Sequence, residues 1–332
     1  MGEGSTSGRR RRPVPAGVVV VLLAGAAVLV VAVQGWLGPS SGPIVDPAPA
    51  PGPVAVAAGA GGVWVVNSTD GTVSRIDPAT DREVATVDVG GGMDRIAVGD
   101  GAVWVTGGGA GRVVRIDPAT DEVVATVEVD RGLFGMAAGE GAVWVTHYES
   151  GRVSRIDPAT NAVTATVEVG VGVGDVAVGE GAVWVTNWLD GSVSRIDPAA
   201  DEVVASVEVG FHPTTVTAGD GAVWVLTANT TDVVRVDPAA NAVVATVEIA
   251  GYPTAVAAGT GAMWLTSNDP TVSRVDPAAN AVAATVATGV TPADVAVGDG
   301  AVWAISYEGG RVLRIDPVTN EVVATLRLRS PR

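Results

Sequence analysis

The chain has 332 residues, 47% hydrophobic and 17% charged, which is enough apolar material for a sizeable core and too much for global disorder. It contains no cysteine, so disulfides, thiolate metal sites and cysteine nucleophiles are excluded. All 20 basic residues are arginines, and residues 53–332 carry 16 of them against 34 acidic residues, a net of −18 that argues against nucleic acid as a partner.

Residues 1–12 end in Arg9–Arg12 and read as a basic cytoplasmic N-terminus. An almost unbroken apolar run follows, Ala16–Val33, and residues 13–37 are expected to form one transmembrane helix. That run rises about 27 Å as a helix, and extension to Leu37 covers a ~30 Å hydrocarbon core. The arginines stay cytoplasmic, which places the rest of the chain outside the cell membrane, with Trp36 at the interface. The alternative is secretion after cleavage of a signal sequence, whose apolar region would be only about 7–15 residues long. Residues 38–52 (GPSSGPIVDPAPAPG) form a Pro/Gly-rich linker, up to roughly 45 Å long if extended.

Residues 53–332 are one repeat copied seven times. Trp64, Trp104, Trp144, Trp184, Trp224, Trp264 and Trp303 are spaced by 40 residues, with a single interval of 39. Asp77, Asp117, Asp157, Asp197, Asp237, Asp276 and Asp316, each in an R-[IV]-D-P element, keep the same register. Within one copy, four segments have strand character: Val176–Val178, Ala182–Thr186, Ser192–Ile196 and Glu202–Val209. The first uses small residues, the second is apolar on both faces, and the last alternates as a strand with one wet face does. The pattern predicts an all-β fold: a seven-bladed β-propeller of four-stranded antiparallel blades, preceded by the N-terminal transmembrane helix. Each blade comes from one contiguous stretch, so no strand is expected to be exchanged to seal the ring, unless Ile44–Val45 adds an edge. A monomeric ring is expected.

The segments Val183–Asn187 (VWVTN) and Val193–Pro198 (VSRIDP) resemble the YVTN-type propeller repeat. More distantly they are similar to NHL repeats and to virginiamycin B lyase-like propellers, over about residues 53–329. The resemblance implies the propeller fold and, for the lyase-like enzymes, catalytic His and Glu residues in loops together with a divalent metal. This chain departs from that pattern. The slot after the second-strand motif holds Asn67, Gly107, His147, Asn187, Thr227, Ser267 and Ser306, with no glutamate.

The seven tryptophans read as wedges between blades. The Arg and Asp of each R-[IV]-D-P read as a structural pair or turn cap, because a function there would be performed seven times. The loops joining strands two to three, and strand four to the next strand one, vary and emerge on one face. All aromatic and histidine residues outside the tryptophan array and Trp36 lie in them: Phe134, His147, Tyr148, Trp188, Phe211, His212, Tyr252 and Tyr307. Aligned starts of strand one place Ala55, Arg95, Gly135, Asp175, Thr215, Ala255 and Asp294 around a channel mouth, beside Asp94. Asp175 and Asp294 are three blades apart, too far to share an ion unless the channel is narrow. With Glu149 and Glu308, these loop and mouth residues make the candidate ligand-binding face. The expected role is binding or sensing of an extracytoplasmic protein or a polar small molecule. The alternative is a metal-assisted lyase or hydrolase at the channel mouth, with His147 and His212 as its candidate catalytic residues. No metal-ligand spacing or cofactor motif is present, and a divalent cation enters only with that alternative.

Overall fold

The computed structural model describes residues 19–24, 27–32, 52–170 and 172–328. From Pro53 onward the chain forms seven four-stranded antiparallel sheets, each with its strands hydrogen-bonded in sequence order. Blade four shows the plan: Val173–Gly179 lines the channel, Ala182–Asn187 and Ser192–Asp197 follow, and Glu202–Glu208 is outermost. The first turn of every blade needs two consecutive residues with positive φ, here Glu180 (56°) and Gly181 (69°). This is the two-residue hairpin geometry, which explains the Gly-x-Gly at that point in every blade, with Asp or Glu at x in five of the seven and Ala60 or Thr260 in the others.

The second strand is buried along its whole length, as a strand sandwiched between neighbouring sheets must be. All seven repeat tryptophans are at most 1% exposed and wedge adjacent blades apart. Trp184 packs with Val207 of its own blade and with Val223, Val225 and Val236 of the next.

Two local expectations need correction. The outermost strand does not alternate cleanly: Arg195 pairs with Ala205 but Ile196 with Val203, so Val204 is an extra, bulged residue. The same bulge falls at Val84, Val124, Thr164, Val244, Ala283 and Val323. It leaves Val203 and Val204 both exposed, and a bulge on each outer edge hinders edge-to-edge pairing with another chain. In the R-[IV]-D-P element the Asp caps its own turn, with Asp77 Oδ1 accepting from the Ala79 N–H at 2.9 Å. The Arg does not pair with that Asp. Its guanidinium lies over the tryptophan of its own blade, 5.2–5.9 Å from the ring centroid in all seven copies. From there it reaches the next blade, where Arg75 Nη1 donates to Pro118 O and Asp121 Oδ1, both at 2.9 Å. Arg115 and Arg195 repeat the grip on Asn161 and Asn241. The residue at this turn position has positive φ in every blade and is always Asp or Asn, side chains that tolerate the left-handed region.

Among the described residues the ring closes without strand exchange. Trp303 of blade seven packs with Val56, Val63, Val65 and Ile76 of blade one, and Arg314 Nη1 reaches Asp81 Oδ1 at 3.2 Å. Ile44–Val45 lies outside the described residues.

The helix expected over residues 13–37 is not seen in the parts of that span that are described. Val19–Ala24 and Ala27–Ala32 pair as an antiparallel hairpin, and among the described residues no helix is long and apolar enough to cross a membrane. Both segments are rich in valine, whose branched Cβ favours extended backbone, and pairing satisfies their backbone groups on one side.

Candidate functional site

The innermost strands are edge strands facing the channel, so their N–H groups lack a ladder partner on that side. Two aspartates supply acceptors. Asp175 Oδ2 accepts from Val216 N of blade five at 3.1 Å. Asp294 Oδ2 accepts from Val56 N of blade one at 3.0 Å, and its Oδ1 from Val295 N at 2.9 Å. Both carboxylates, with Asp94 and Arg95, line a cavity of about 180 Å³ at the channel mouth. Phe134, Met136, Thr214 and Thr215 complete much of its wall.

Burial pushes the carboxyl groups of Asp175 and Asp294 up to about 6, against the downward pull of their backbone hydrogen bonds and of Arg95. The charge of Asp175 raises Asp294 slightly further. Asp94 is also raised by burial, with Arg95 pulling it down. Arg95 Nη1 lies 3.5 Å from Asp94 Oδ1, while Nε donates to Phe134 O at 2.9 Å and Nη1 to Asp94 O at 3.0 Å. Tyr307 is pushed up to about 12 by burial and by Asp294, and it packs against the blade-one core.

Five of the eight aromatic and histidine residues gather into two clusters, with Phe134 coming from the strand Leu133–Gly139 and the other four from loops. The Arg95 guanidinium lies 5.7 Å from the Phe134 ring centroid, and Phe134 is 5.9 Å from Tyr148. Trp188 stacks on His212 at 4.4 Å with only 9° between the rings, and Phe211 covers His212 at 3.5 Å. Phe211 and Tyr252 are 71% and 51% exposed, large apolar surfaces with no core to fill. Glu149 and Glu308 are exposed on the same loops.

His147 is elsewhere. It is 2% exposed, its side chain turned into blade three with Nε2 2.8 Å from Ser154 Oγ. Asn67 and Asn187 make the equivalent bonds to Ser74 and Ser194, both at 2.9 Å. His147 therefore fills a scaffold slot, away from the loop surface. Met136 and Thr214 line the cavity but carry residue types common in cores, so only the strand-one register could have found them. Among the described residues no group of three or more His, Asp or Glu converges to hold a metal ion.

Fold and site together define a seven-bladed propeller with a ligand-sized, mixed-charge cavity at one end of its channel. The model of the virginiamycin B lyase family matches residues 120–324, and the chain belongs to that family. Among solved structures it is similar to hydrazine synthase of Kuenenia stuttgartiensis, with a TM-score of 0.71 and 16% identity over 84% of this chain and 99% of that one. It is also similar to virginiamycin B lyase from Staphylococcus aureus, with a TM-score of 0.62 and 19% identity over 77% of this chain and 92% of that one. At these identities the likeness concerns the fold. No curated protein matches the sequence.

Proposed function

We propose that the propeller is a binding or sensing module, held at the outer face of the cell membrane, that takes its ligand at the channel mouth and the surrounding loops. One observation carries this reading. Charges sit at strand-one positions where sister blades manage with Ala55, Gly135, Thr215 and Ala255, so the scaffold does not require Arg95, Asp175 or Asp294. The exposed aromatics Tyr148, Phe211 and Tyr252 add contact area on loops beside them.

Anchoring rests on Arg9–Arg12 and the apolar run Ala16–Val33. In a bilayer a two-stranded hairpin would leave edge N–H and C=O groups unsatisfied, so this stretch serves as an anchor only as a helix. Carbonate extraction of membranes should leave the full chain in the pellet. Release into the supernatant would show that it is not anchored.

Binding is tested by a thermal-shift screen of polar small molecules on the full chain. A ligand that raises Tm should lose its effect when Tyr148, Trp188, His212 and Tyr252 are all replaced by Ala, while the circular dichroism spectrum stays unchanged. Undiminished binding by that variant would place the site elsewhere.

A second reading follows from the family match, which spans both histidines: elimination chemistry of the kind the lyase from Staphylococcus aureus is named for. His212 is the more accessible base, since His147 is held inside its blade. This reading requires a turnover that His212→Ala abolishes without loss of ligand binding.

A further inference from the structure

The cavity holds charges of both signs, and that combination constrains what fits it. A simple anion would meet three carboxylates, Asp94, Asp175 and Asp294. A bare cation would meet the guanidinium of Arg95, and no metal-holding group of carboxylates is present among the described residues. We propose that the channel mouth binds a small zwitterion of the free amino acid kind, its carboxylate on Arg95 and its ammonium on the carboxylate of Asp175 or Asp294. This rests on the reading of the mouth as a binding site and names the ligand class.

The hydrogen-bonding capacity of the site fits such a ligand. Arg95 spends Nε and Nη1 on the carbonyls of Phe134 and Asp94, which fixes the guanidinium against the wall and leaves Nη2 for a ligand. Its contact with the Asp94 carboxylate, at 3.5 Å, is longer than a charge-assisted hydrogen bond of about 2.7–2.9 Å, so the guanidinium is not saturated. Asp175 accepts one N–H and Asp294 two, and a carboxylate offers about four acceptor positions. Both therefore keep lone pairs for an ammonium. The volume is about 180 Å³, well above the ~10–15 Å³ that a single water needs. That accommodates a small amino acid. Met136 and Val176 supply apolar wall for a short side chain.

The test is calorimetric titration of the full chain in detergent micelles with L-valine, N-acetyl-L-valine and L-valinamide. Free valine should bind at least ten-fold tighter than either capped form. Arg95→Gln should erase the preference over the amide, and Asp175→Asn with Asp294→Asn the preference over the N-acetyl form. The Asn variants keep an acceptor for Val216 and Val56, so loss of binding without loss of circular dichroism is a readable result. Equal binding of free and capped valine would overturn the zwitterion and leave the mouth as a binding site. No binding of any form would also overturn it. A ligand from the thermal-shift screen, lost in the four-alanine loop variant but kept in Arg95→Gln, would then show that the loop face functions without it.

Discussion

Asp294 and His147 are both removed from water, and burial moves their protonation in opposite directions because in each case the neutral form is favoured. The folded-state value of Asp294, about 6, lies above its ordinary 3.8. Its contribution to stability is therefore full below about pH 4 and is lost as pH rises through 6. Asp294→Asn should raise stability at pH 8 by about 1–3 kcal/mol and change little at pH 3.5, as measured by urea unfolding at both values. A residue that weakens the fold at neutral pH while facing a cavity has the profile of a binding residue. Burial holds the imidazole of His147 below its usual value, partly offset by Asp130. The neutral ring's contribution is present above pH 6.5 and lost as pH falls through the folded-state value. His147→Asn should match wild type at pH 8, since Asn67 and Asn187 make the same bond, and should flatten the stability profile between pH 7 and 5. His147→Ala leaves Ser154 Oγ unpaired in a void and should cost about 2–4 kcal/mol.

At the scale of the blade, the two tryptophan populations should separate cleanly. Trp184 is fully buried, donates Nε1–H to Gly179 O at 3.2 Å and carries the Arg195 guanidinium on its face. Trp184→Ala should cost about 3–5 kcal/mol. Trp188 stacks only on His212 at the loop surface. Trp188→Ala should change stability by about 1 kcal/mol or less, with its effect read in ligand binding. The periodicity made that division legible, because seven tryptophans in one register must be scaffold and an eighth out of register need not be. Periodicity could not reveal the partner of each R-[IV]-D-P arginine. Strand alternation places Arg and Asp of one copy on the same side, whereas the arginine's bonds go to a turn about 43–46 residues further on.

For the whole ring, closure makes the blade seven–blade one seam equivalent to any other. Trp303→Ala should therefore destabilise about as much as Trp184→Ala, whereas an open array would leave Trp303 at an exposed end and the change nearly neutral. A double-mutant cycle on Arg314 and Asp81, whose side chains are 28% and 29% exposed, should give a coupling of about 0.3–1 kcal/mol. Apolar packing, not this ion pair, holds the seam.

Blade number, strand count and the scaffold role of the tryptophans could be read from the sequence alone, because each depends on a local pattern repeated at fixed intervals. The variable loops were legible for the same reason, as departures from that pattern. What His147 faces and which residue each arginine grips were decided by the tertiary structure. Those contacts depend on how strands register within a blade and how a turn of one blade meets the next, and an arginine and a turn 43–46 residues further on become neighbours only when the blades pack.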